Sequence, residues 1–144
     1  MNNEKDNVYD LVEDFYAHDE GWNTLLRQEY AEGFLRMEAW KGKKNSDLYR
    51  SWDNLTMLCL YLGSAETFLG DMNADDFIDC IAWCGRNISE FTPDYKNTQD
   101  FLETCDGLFK YLKGKNAISN DTVPGTAAEI LLQEGKMNII LPDG

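Results

Sequence analysis

"SDLYRSWDNLTMLCLYLG", residues 46–63, is the stretch whose reading decides the fold. Leu48, Trp52, Leu55, Leu58, Cys59 and Leu62 recur at spacings of three and four and form one broad apolar face. That period belongs to a helix; a half-buried strand would alternate at every second residue. A helix with so wide an apolar face needs cover on most sides, so the spacing predicts the central, most buried helix of a bundle. Gly63 stands where a C-terminal stop is expected. The apolar run is far short of the roughly 20 residues needed to span a bilayer.

The flanking stretches keep the same period. In "NVYDLVEDFYAHD", residues 7–19, Val8, Leu11, Val12 and Phe15 form an apolar stripe opposite Asp10, Glu13 and Asp14. "GWNTLLRQEYAEGFLRMEAWKGKKN", residues 21–45, continues the period through Trp22, Leu25, Leu26, Tyr30 and Phe34, with Gly33 weakening the helix by up to about 1 kcal/mol. "KGKKNS" then reads as a polar loop. "SAETFLGD", residues 64–71, reads as a short connection with room for one helical turn.

"GDMNADDFID", residues 70–79, admits two readings. Asp71, Asn73 and Asp75 alternate as in the opening of a calcium loop. Counting from Asp71, however, position 6 is Asp76 where glycine is needed, and position 12 is Ala82, which has no ligand atom. The helix-start reading accounts for more. Asn73 is a strong N-cap, Asp75 and Asp76 match the positive end of the dipole, and Met72 with Phe77 forms a hydrophobic staple. The helix that follows carries Phe77, Ile78, Cys80, Ile81 and Cys84. In "SEFTPDYKNTQDFLETCDGLFKYLKG", residues 89–114, Thr92 is the expected cap and Pro93 the first helical residue. Phe101, Leu102, Cys105, Leu108, Phe109 and Leu112 are the expected buried face, and Gly114 the end.

The tail changes character. Thr126 and Glu129 make a capping-box pattern for a short helix, and "KMNIILPDG", residues 136–144, reads as a strand. A single strand has no partner in this chain. It would pair with another molecule, a second copy included, pack as an extended arm, or begin a further domain. The expected fold is all-α: a compact bundle of about five helices over residues 5–113 with a small C-terminal helix-plus-strand appendage. The expected division is an acidic bundle at 1–121 and an appendage at 122–144.

Charge narrows the function. The chain of 144 residues holds 26 acids and 13 bases, net −13. Residues 1–40 carry ten acids and three bases; residues 64–107 carry ten acids and two bases. Residues 41–63 carry four bases and two acids. Direct binding to nucleic acid or anionic lipid rests on Lys and Arg meeting phosphates, so neither is expected. The polar N-terminus shows no secretory pattern, which predicts a cytoplasmic protein with reduced thiols.

Chemical motifs are few. Cys80 and Cys84 share a helical face, but zinc sites favour shorter spacings and a second pair; Cys59 and Cys105 stand singly in apolar stripes. His18 is the one histidine, at the end of an acidic helix. There is no nucleophile elbow, metalloprotease helix or phosphate loop. No cofactor, metal or catalytic residue is therefore expected. Asp75, Asp76 and Asp79 would form an exposed acidic surface, and Trp40 beside Lys43 and Lys44 a second contact surface.

Residues 72–121 also carry a recognisable rhythm: Asp75, Asp76 and Phe77, then Thr92 and Tyr95, then Phe109, Tyr111 and Leu112. This resembles the SAM-like, core-binding helical domain that precedes the catalytic domain of tyrosine recombinases. The resemblance implies a shared helical architecture. It implies no DNA clamp, because residues 64–107 are acidic, and no functional residue transfers. The resulting expectation is a non-enzymatic acidic interaction domain, of accessory, immunity or inhibitor type in a bacterium or phage, that contacts a basic protein. The alternative is a helical regulatory or linker domain of a larger, recombinase-associated protein.

Overall fold

In the computed structural model, residues 7–135 are described. They form six α-helices: α1 Val8–His18, α2 Gln28–Trp40, α3 Asn45–Ala65, α4 Ala74–Asn87, α5 Tyr95–Gly114 and α6 Val123–Gln133. Two short 3₁₀ turns, Glu20–Thr24 and Leu69–Asp71, join them, and no strand occurs among the described residues. The segment 136–144, where the sequence predicts a strand, lies outside the described residues.

α3 is the central helix, as its apolar period predicts. It packs against α1, α2, α4 and α5. Leu55, Leu58, Cys59 and Leu62 are fully buried, and Trp52 nearly so. Burying one such side chain stabilises the fold by about 1.5–3 kcal/mol relative to leaving it in water. The helix runs two residues past Gly63. It ends at Glu66, which takes the left-handed conformation at φ 56°, and the Thr67 N–H donates to the Leu62 carbonyl at 3.2 Å. Gly63 therefore lies inside the last turn of the helix, beside Trp22 and Leu25, where a Cβ would make only ordinary contact, 3.6 Å from the Trp22 ring.

Helix α1 buries Val8, Val12 and Tyr16, while Leu11 stays 38% exposed. The buried stripe thus lies one position around from the predicted one. Tyr16 shifts the balance, because its hydroxyl donates to the Leu26 carbonyl at 2.6 Å deep in the bundle. Residues 21–40 are not one helix. Asp19 turns extended and accepts the Gly21 N–H at 2.8 Å, so a 3₁₀ turn intervenes and α2 begins only at Gln28.

α4 starts as the capping pattern predicts. The Asn73 side chain accepts the Asp76 N–H at 2.9 Å, and the Asp76 carboxylate accepts the Asn73 N–H at 2.9 Å. Met72 and Phe77, the expected staple, are both buried. α5 starts two residues later than predicted. Asp94 caps it by accepting the Asn97 N–H at 2.9 Å, and the Thr92 carbonyl accepts from the Asn97 side chain. Aspartate caps better than threonine, and Pro93 is spent in the turn before it. α6 starts earlier than predicted, at Val123 with Pro124 in its first turn, so Thr126 lies inside the helix and its hydroxyl donates back to the Thr122 carbonyl at 3.1 Å. Ala127 and Leu131 of α6 are buried against α4 and α5.

α2 and α5 approach closely. A methyl added at Gly33 would overlap the Tyr111 hydroxyl, and one at Gly107 would lie 3.2 Å from the Phe34 ring.

Candidate functional site

The residues singled out by charge and spacing fall into two groups on separate elements. Asp75 and Asp79 are exposed on α4. Asp76 is half-buried and its carboxylate is engaged in the Asn73 cap. Asp76 and Asp79 flank Tyr61, whose hydroxyl is pushed up to about 12, by burial first and then by the charges around it. At the junction of α2 and α3, Trp40 is 88% exposed. Lys43 is held by Glu38 Oε2 at 3.2 Å and by the Ser51 hydroxyl at 3.3 Å, so it is a pinned cation rather than a free one. Lys44 is exposed at the N-cap of α3, where its side chain makes no cap bond.

The four cysteines are all buried and reduced. Sequence spacing links only Cys80 with Cys84. The fold adds Cys59 from α3 and Cys105 from α5 to the same region, close enough that Cys80 senses Cys84 and Cys105, and Cys105 senses Cys84 and Cys59. Burial pushes the Cys59 thiol up to about 12 and raises those of Cys80 and Cys105 as well. Thiols kept neutral in an apolar interior are inert packing groups, not nucleophiles. Among the described residues, no group of three or more His, Cys, Asp or Glu side chains is placed to hold a metal ion.

A site that the sequence did not single out lies on the outer side of α3. A groove of about 600 Å³ opens between α3, the segment 88–91 and α5. Arg50, Asp53, Asn54, Thr56, Met57 and Leu60 line it from α3; Ile88, Glu90 and Phe91 from the connection; Asn97 and Asp100 from α5. Local bonding shapes the connection. The Ile88 N–H closes α4 on the Cys84 carbonyl at 2.8 Å, the Phe91 N–H turns back to the Ile88 carbonyl at 3.0 Å, and the Phe91 ring tucks in beside Phe101.

The groove's polar groups are organised from beneath. Asn54 is 5% exposed, and its side-chain amide donates to Asp100 Oδ2 at 3.1 Å and to the Thr104 hydroxyl at 2.9 Å. Asp100 is thereby held in one orientation. Asp53, one residue from Asn54, has no side-chain bond among the described residues, and burial pushes its carboxyl up from the ordinary value. Asp53 also borders a shallower hollow floored by Phe15, Trp22 and Trp52, in which Phe15 and Trp22 stack at 4.8 Å. The arrangement offers carboxylate acceptors over an apolar floor.

Neither the protein-family models, nor the curated proteins, nor the solved structures compared with the chain give a match. No helix among the described residues is long and apolar enough to cross a membrane.

Proposed function

We propose that the chain is a non-enzymatic protein–protein interaction domain, of accessory, immunity or inhibitor type, whose acidic surface receives a basic partner. One observation supports this reading best: the acids outnumber their counter-ions in space as well as in sequence. The chain holds 26 acids against 13 bases. The described residues form three ion pairs, Arg27–Glu29, Lys43–Glu38 and Lys110–Asp106. Asp75 and Asp79 stand exposed outside them. Such a surface steers a cationic partner at long range, and the steering weakens as salt shortens the screening length to about 10 Å at 0.1 M.

The test is a titration of the chain with a fluorescent hexalysine peptide at about 50 and about 300 mM salt. Binding several-fold weaker at the higher salt is expected, as is weaker low-salt binding after Asp75→Lys with Asp79→Lys. Binding indifferent to salt, or none at low salt, would remove this reading.

A further inference from the structure

We propose that the groove between α3, the segment 88–91 and α5 is the seat for one lysine or arginine side chain of the basic partner, a refinement that rests on the proposed function above. Three features of the groove carry it.

The first is shape. At about 600 Å³ the groove admits a long side chain together with the backbone beside it. Met57, Leu60 and Phe91 give the methylene stem of such a side chain an apolar surface to lie on. The second is the supply of acceptors. Asp53, Asp100 and Glu90 line the same groove as those apolar groups. Asp100 gives Oδ2 to the buried Asn54 amide, which fixes its plane and leaves Oδ1 with no partner among the described residues. Asp53 stands exposed at the groove and forms no ion pair among the described residues, and the burial it does have raises its carboxyl. Its carboxylate is open to a cation placed beside it. The third is Arg50, which shares the lining. The balance of three carboxylates against one guanidinium favours a cationic guest, and Arg50 opposes it. The site therefore has a signed signature: removing an acid weakens binding, and removing Arg50 strengthens it.

The probe is hexalysine, and the readout is nuclear magnetic resonance of the full chain at low salt. The Asn54 side-chain amide and the backbone amides of Met57 and Phe91 should shift on titration. Asp53→Asn should weaken binding about tenfold, the worth of one charge-assisted hydrogen bond. Its side chain makes no bond to lose, and circular dichroism should show the native helical spectrum. Arg50→Ala should tighten binding several-fold. A hexapeptide of acetyl-lysine, which keeps the stem and loses the charge, should not bind.

Equal binding of the acetylated peptide would overturn the proposal, since the groove would then read apolar surface alone. Salt-sensitive hexalysine binding that ignores Asp53→Asn and shifts only α4 would overturn it and leave the acidic-surface reading standing. Absence of hexalysine binding would remove both.

Discussion

The two sides of α3 make a useful contrast. Cys59 and Asp53 stand six residues apart on one helix, and burial raises the pKa of both. On the inner side Cys59 is fully enclosed by other helices, and its thiol stays neutral. On the outer side Asp53 is exposed at an open groove, where the burial it does have still raises its carboxyl. A closed site settles for an uncharged group. An open one can keep a charge and take a counter-ion from outside. Interior and open groove thus treat an ionisable group differently, according to whether a neighbouring helix covers the position.

The contrast can be broken most directly by truncation. Leu58→Ala removes a fully buried side chain and should cost about 2–5 kcal/mol in a urea melt. Leu60→Ala, on the groove side and 38% exposed, should cost well under that. Equal losses would mean that the outer side is as closed as the inner.

Alkaline titration sharpens it next. Cys59 ionises near 9.0 when unfolded and near 12 when folded. Its folded value is the higher, so the stability it contributes is whole below about pH 9 and drains as pH rises toward 12. Each thiol that ionises only on unfolding should take about 1.4 kcal/mol per pH unit in that window. Urea midpoints between about pH 8 and 11 would show the slope, and Cys59→Ala should flatten part of it. Asp53 has the same sign in an acidic window: its raised carboxyl favours the fold below the ordinary value of 3.8 and ceases to as pH rises above it. Its charge at neutral pH therefore works against stability.

The smallest effect concerns the end of α3. Glu66 holds a left-handed conformation that costs an L-residue about 1 kcal/mol, so Glu66→Gly should raise the melting temperature by a few degrees. Asn116, at φ 60° after α5, does the same work with a residue that tolerates it, and Asn116→Gly should gain less.

What could be read in the sequence follows from the range of the forces involved. The inner face of α3 and the start of α4 are written locally: one by a repeat every three to four residues, the other by Asn73 and Asp76 three apart. The all-helical class follows from the same repeats. Three helix ends were misplaced because two residues competed for each: Thr92 against Asp94, Gly63 against Glu66, Thr126 against Thr122. The groove has no local signal. Asp53 shares a groove with Asp100 and Phe91 through the packing of α3 on α5, where Asn54 bonds Asp100, and no spacing within α3 announces residues some forty positions away. The exposed acids of α4 were legible as residues, but the share of Asp76 taken by its own cap was not.

The crossing of α2 and α5 has a consequence in time. Gly33 against Tyr111 and Phe34 against Gly107 join residues roughly seventy to eighty apart. Turns within one helix form in well under a microsecond, whereas so distant a joint must wait for the intervening chain to find its course. Two glycine positions fitted to two rings leave little room between the helices, so the joint that ties the N-terminal helices to α5 is made of contacts distant in sequence and close in space.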